Sequence, residues 1–459
     1  MLHSGMIETI EDCKKFFADA DSSPNGEYIF HAIPIDNSIH PSDYNSPCII
    51  FIRNVSSGRT YYYSLSHPDS RPKVGFRMFF KYVKRKIENN IKWAIDAKSF
   101  NQVLSIFNVK DVNLCGFFKD NEILDVSEYD TVAHNLVRRH NKTANNKSIP
   151  LLKHKEAFDN MCSDIVKMIK RFKIDDSFNN FNDIILKSLG NIEANGIYVD
   201  KSIFEKHFNT SPNDKGLVFS QYNVYTSTGR PSNRFGGINY AAMNHSDGSR
   251  SALISRYGSN GRMVVVDYTA FHPRIICYLT KYNIPNDKDI YEYLAKLYFN
   301  KKEVDETDIA NSKKLTFRQL YGGVEDKYLH IKYLSNLKSY ISEQWEFFNK
   351  NGYILTPFFK RKITDKHIKD PNPEKVFNYI LQAVEGEIAI SRIQSVLKFL
   401  SGKKTKAVLY TYDAVLYDFH KDDGDETLNE IRKIMSFDGI FPMKTYIGES
   451  YNDVKLVNI

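Results

Sequence analysis

Residues 407–419 read AVLYTYDAVLYDF, two short apolar runs with one carboxylate between them. Val408–Tyr410 and Val415–Tyr417 have strand character, and Tyr412–Asp413–Ala414 predicts a tight hairpin with Asp413 at its tip. An acidic hairpin tip is usually only solvated. It gains interest from a second stretch, Met263–Val266, a β-branched apolar run that ends in Asp267. A lone aspartate in that position is most often a cap or turn residue, but a strand end is also a rigid platform for a metal ligand. Two such carboxylates from distant strands suit a pair of Mg²⁺ ions, which prefer oxygen ligands completed by substrate phosphates.

A third element lies between them. Asp308–Gly323, DIANSKKLTFRQLYGG, places Lys313, Phe317 and Tyr321 at i, i+4 and i+8 on one face of a helix. Aromatic residues at that spacing ordinarily pack in a core, but a lysine heading the same stripe is out of place there. It fits a surface where a cation meets phosphates and a ring meets a base. Gly322–Gly323 then ends the helix.

Working outward, 459 residues allow two or three domains. With 42% hydrophobic and 26% charged residues, the composition excludes disordered and fibrous classes. The net charge of +8 leans mildly towards polyanionic partners. Heavy use of Lys, Asn, Ile and Tyr is consistent with an AT-rich genome. Cys13, Cys48, Cys115, Cys162 and Cys277 are scattered and form no zinc pattern, so free thiols in a reducing compartment are expected. Met1–Phe17 has no signal-peptide core, and no apolar run approaches the ~20 residues of a membrane span. The expectation is a soluble protein without a membrane partner, in the cytoplasm of a bacterial or phage-infected cell, with an organelle left open.

Towards the N-terminus, Tyr28–Ile35, Cys48–Ile52 and Tyr61–Ser64 read as strands between turns. Phe76–Ala97 reads as a basic amphipathic helix, with Lys84, Arg85 and Lys86 on a solvated face or against DNA. Residues 141–150 read as a loop. Helical patterns follow at Asn160–Phe172 and Phe181–Ala194, the second closed by Asn195–Gly196 before a short strand at Ile197–Val199. The main boundary is expected between about residues 150 and 225.

In order along the chain, seven stretches resemble the family A DNA polymerases, the group of bacterial DNA polymerase I and several phage replicases. They are NIEANGIYVD (191–200), TSTGR with INYAAMN (226–230 and 238–244), VVVDYTAFHPR (264–274), KKLTFRQLYGG (313–323), GYILTPFFKRK (352–362), Asn378-x-x-x-Gln382 and TYDAVLYD (411–418). KKLTFRQLYGG has the motif B form Lys-x-x-x-Phe-x-x-x-Tyr-Gly. The resemblance implies an α+β multidomain chain: a right-hand polymerase palm and fingers at 226–459, a linker and reduced thumb at 161–225, and an RNase H-like exonuclease-type domain at 1–160.

It implies template-directed DNA synthesis from deoxynucleoside triphosphates on primer–template DNA. Asp267 and Asp413 would hold two Mg²⁺ ions, or Mn²⁺, helped by the carbonyl of Tyr268. One ion would activate the primer 3′-hydroxyl and the other would neutralise the triphosphate and the leaving pyrophosphate. Lys313 would bind the triphosphate, Phe317 would stack on the nascent pair, and Tyr321 would guard the template position. Arg230, Asn239, Arg274, Asn378, Gln382 and Tyr412 would contact DNA.

Several departures qualify the resemblance. The motif A glutamate that excludes ribose is His272, which still fills space near a 2′ position. The arginine one turn before the motif B lysine is Ile309, with Lys314 and Arg318 as nearby substitutes. Motif C's His-Asp-Glu is Tyr412–Asp413–Ala414. Only 28 residues separate Asp200 from Gly229, where the family inserts a thumb, so low processivity or dependence on a replisome partner is expected. In the N-terminal domain, whose resemblance also draws on Asp96–Leu104 and SEYDTVAHNL (127–136), Asp36–Asn37–Ser38 stands for Asp-x-Glu and Phe100 for the second aspartate. A non-proofreading relic is therefore expected. Two other readings remain open: a primer- or RNA-synthesising relative, and a non-catalytic nucleic-acid-binding module.

Overall fold

The computed structural model describes residues 5–43, 47–104, 108–125, 129, 132–133 and 145–457. The chain divides into two compact units, one of Met1–Ala194 with Phe235–Ile238, the other of Asn195–Arg234 with Asn239–Ile459. The boundary at 194/195 lies inside the span expected to link the domains, rather than at 160 or 225.

The first unit is built on β1 (Glu27–Pro34), β2 (Pro47–Asn54), β3 (Thr60–Ser64), β4 (Ile91–Ala94) and β5 (Lys110–Asp111), in the order β3-β2-β1-β4-β5. β1 pairs antiparallel with β2 and parallel with β4. The first three strands are buried almost throughout, which is why they read as continuous apolar runs. Its described α-helices are α1 (Ile10–Asp21), α2 (Phe76–Lys86), α3 (Ala97–Val103), α4 (Val112–Asp120), α5 (Leu151–Arg171) and α6 (Asp176–Asn195).

The helix expected over Phe76–Ala97 is half that length. It stops at Lys86, with Lys84, Arg85 and Lys86 in its last turn, where cations oppose the helix dipole favourably. Asn90 then donates to the carbonyls of Gly26 and Pro24, at 2.7 and 3.2 Å, and Ile91–Ala94 becomes a strand beside β1. Strand pairing outweighed the helical periodicity. The two helices expected at 160–172 and 181–194 begin nine and five residues earlier.

The positions compared with an exonuclease's carboxylates are engaged otherwise. Ser38 donates its backbone N–H and its hydroxyl to Asp36, both at 2.7 Å. Phe100 is fully buried against Phe30, with ring centroids 6.0 Å apart. Asp96 caps α3 and Asp111 caps α4, the latter also accepting from Ala97 N–H at 2.7 Å. Most of SEYDTVAHNL, 127–136, lies outside the described residues. The segment Phe235–Ile238, bridged to itself, belongs to this unit, with the Phe235 ring edge-on to His40 at 5.0 Å.

The second unit opens with β6 (Ile197–Tyr198), α7 (Lys201–Phe208), β7 (Leu217–Val218), β8 (Tyr222–Asn223) and β9 (Ser232–Asn233), which form two small ladders. Its main sheet comprises β10 (Gly261–Tyr268), β13 (Lys406–Tyr410), β14 (Ala414–His420), β15 (Met443–Gly448) and β16 (Lys455–Val457), antiparallel in the order β13-β14-β10-β15-β16. Around it lie α8 (Phe271–Thr280), α9 (Ile290–Phe299), α10 (Glu306–Gly322), α11 (Lys332–Asn351), the hairpin β11 (Tyr353–Leu355) and β12 (Lys362–Thr364), α12 (Pro373–Phe399) and α13 (Gly424–Met435). The long α12 packs against α8, α10, α11 and α13. It starts on an Asn372 cap followed by Pro373, a residue pre-set for a first helical turn. No helix among the described residues is long and apolar enough to cross a membrane.

Candidate active site

Asp267 and Asp413 are brought together by strand register. β10 pairs with β14 so that Asp267 faces Ala414, and the Tyr268 N–H donates to the Asp413 carbonyl at 2.9 Å. The hairpin tip is tight: Tyr412 is left-handed at φ 72°, a conformation costly to a residue with a Cβ, and Asp413 N–H donates to Thr411 at 3.0 Å. Its strain is held by packing, because the Arg230 guanidinium lies 4.1 Å from the Tyr412 ring centre. Tyr268, which follows Asp267, is anchored by its hydroxyl to the Met435 carbonyl and by a 3.9 Å stack on Phe271.

The two acids resist being charged together. Burial, and then the charge of Asp413, push the Asp267 carboxyl up to about 7, with Lys444 across the ladder pulling the other way. Asp413 is also raised, by burial and then by the charge of Glu385, while Arg230 and His272 oppose. Its side chain still meets solvent, so water screens part of that push.

Folding favours the protonated form of Asp267, so its contribution is complete below about pH 4 and is lost as pH rises through about 7. In metal-free buffer, stability should fall between about pH 4 and 7, and Asp267→Asn should flatten that slope and gain roughly 2–4 kcal/mol at the alkaline end. An unchanged slope in the variant, read by denaturant titration, would refute the burial argument.

On α10, the Phe317 and Tyr321 rings are parallel within 7° at 5.9 Å, and Lys313 Nζ lies 5.7 Å from the Tyr291 ring centre. The stripe read from the sequence is therefore a continuous aromatic face headed by an exposed cation. Of the two cations near Ile309 weighed in the sequence, Arg318 pairs with Glu325 at 3.1 Å, whereas Lys314 is exposed and makes no ion pair among the described residues.

His272 lies between the carboxylates and this face. Its Nδ1 meets the Tyr321 hydroxyl and its Nε2 lies 3.3 Å from Glu385. Arg230 Nε stands 2.9 Å from the same carboxylate. Asn378 and Gln382 are half-buried on α12, and Glu385 continues their stripe at i+7 and i+3. Asn239 is exposed and its side chain caps nothing. Arg274 is 5% exposed and donates to the carbonyls of Ile284, Pro285 and Lys288 and to Asn286. Its donors are committed to the loop after α8. A groove of about 550 Å³ lies beside it, lined in part by Cys277, Tyr282 and Asp438, and contains neither carboxylate.

No protein-family model and no curated protein matches the chain. Among solved structures, the POL domain of Pol1 from M. smegmatis, in complex with DNA primer-template and dNTP, aligns with a TM-score of 0.71 at 12% identity. The alignment covers 98% of this chain and 100% of that one. The fold is that of a polymerase domain.

Within this polymerase fold, the turn carrying Arg230 rests on a residue the sequence did not single out for a role. Arg361 is 2% exposed and its Nη2 donates to the Thr228 carbonyl at 2.7 Å. Gly229, at φ 76°, passes so close that a Cβ there would sit 2.7 Å from the same Nη2. Burial lowers the Arg361 guanidinium to about 10 and raises the Glu387 carboxyl, two groups that attract each other. Glu385 and Lys444 were also missed. The helical spacing from Asn378 would have pointed to Glu385; Lys444 depends on pairing between strands remote in sequence.

Proposed function

We propose that the chain is a template-directed DNA polymerase of the family A type, adding deoxynucleotides to a primer 3′-hydroxyl. The observation that carries this is the juxtaposition of Asp267 and Asp413 at adjacent strand ends, with charges that repel unless a cation lies between them. Among the described residues no group of three or more His, Cys, Asp or Glu is placed to hold a metal. Two carboxylates completed by water and phosphates suit Mg²⁺, with Mn²⁺ as a substitute, and the Tyr268 carbonyl is the further ligand we assign. When bound, such ions activate the 3′-hydroxyl and neutralise the triphosphate.

The chain's own residues do the positioning. Lys313 and Lys314 take the triphosphate, Phe317 and Tyr321 take the base, and Tyr412, braced by Arg230, faces the primer end. Arg230, Asn239, Asn378 and Gln382 track the DNA, and Arg274 supports the loop that follows α8 rather than the duplex. We read the first unit as an RNase H-like exonuclease relic, supported by its strand order and by Ser38 and Phe100 where ligands are needed. The stretch after Asp200 holds a single eight-residue helix, which supports a reduced thumb and reliance on a replisome partner. The test is extension of a DNA primer–template with Mg²⁺ and each of the eight nucleotides in turn. The templated deoxynucleotide should be added, without 3′-end trimming; tight DNA binding with no addition under any metal would refute the reading.

A further inference from the structure

Glu385 is 2% exposed on α12. Its Oε1 accepts a 3.1 Å hydrogen bond from Arg230 Nη2. Its Oε2 approaches Arg230 Nε at 2.9 Å and His272 Nε2 at 3.3 Å, yet at angles that complete no hydrogen bond, so all three atoms stay buried with unfilled capacity. A buried carboxylate held by charge but not fully bonded is costly, and its retention calls for a reason. With Nε2–H towards Glu385, His272 is left to accept at Nδ1 from the Tyr321 hydroxyl. A relay Glu385–His272–Tyr321 thus runs from α12 through α8 to α10.

Its position matters. Tyr321 extends the aromatic face of Phe317, Lys313 heads that face, and His272 is close enough to Asp413 to act on its charge. A nucleotide with phosphates towards Lys313 and the carboxylates, and its base on the aromatic face, must lay its sugar beside the His272–Tyr321 bridge. We propose that Glu385 is the positioning residue of a sugar-selecting gate, holding His272 against Tyr321 so that a 2′-hydroxyl meets a closed bridge that occupies its space. This rests on the polymerase reading above. With the imidazole and the phenol held together, an added hydroxyl must displace one of them to enter, and discrimination of roughly tenfold to a hundredfold is expected from such exclusion.

Glu385→Gln keeps the volume and removes the charge; Tyr321→Phe removes the hydroxyl at the far end. Single-nucleotide extension with matched deoxy- and ribonucleotides gives the ratio of their kcat/KM values. Each variant should lower the deoxy/ribo ratio roughly tenfold, and the double variant no further than either one, because they open the same gate. An unchanged ratio, multiplicative effects, or an equal loss with both sugars would overturn the proposal. A wild-type chain that extends with neither sugar would instead refute the polymerase reading itself.

Discussion

Asp267→Ala and Asp413→Ala should each reduce Mg²⁺-dependent primer extension by on the order of a thousandfold or more, with DNA affinity changed little. Among the described residues these two belong to no larger group of His, Cys, Asp or Glu placed to hold a metal, so either substitution would leave one anionic ligand for both ions. The opposite sign of the stability change separates this from unfolding. Both carboxyls are pushed upward by burial, so their charged forms oppose folding, and the variants should melt no lower than the parent in metal-free buffer at neutral pH. Extension assays beside thermal melts decide it: near-normal extension by either variant would sink the site, and a lower melting temperature would sink the account of its electrostatics.

The second large effect is on stability. Arg361→Met should cost about 3–5 kcal/mol in urea denaturation, the range for stranding one partner of a buried ion pair. Glu387 would keep hydrogen bonds from the Phe358 and Phe359 N–H groups, both at 3.2 Å, but would lose the guanidinium that offsets its charge. Adding Glu387→Gln should restore part of the loss, because an apolar and neutral pair lacks the stranded charge. Loss of the bond to Thr228 should also loosen the turn carrying Arg230 and raise the KM for primer–template. A double variant no more stable than Arg361→Met would show that the cost comes from lost packing rather than from charge.

Much of this was legible in the residues. The strands at 28–64, the hairpin around Asp413, the strand ending at Asp267 and the helix bearing Lys313, Phe317 and Tyr321 all follow from local periodicity, and the structure departs from them by only a few residues. The Phe76–Ala97 error shows the limit. A helical pattern there continues into Ile91–Ala94, and only the partner strand β1, 64 residues away, makes that segment extended. The same limit hid Arg361, which reads as one more cation in FFKRK and becomes a buried prop only because the turn at Thr228–Gly229 lies over it. Arg274 shows the converse. A motif position suggested an outward contact, yet four acceptors at 284–288 claim its guanidinium.

The segment Phe235–Ile238 gives the chain an interlaced connectivity. The polypeptide leaves the first unit at 194/195, returns to it for four residues and leaves again, between Arg230 and Asn239. A split gene or a limited-proteolysis cut at 194/195 would therefore not separate the two units cleanly, because four residues of the first, Phe235–Ile238, would leave with the carboxy-terminal piece.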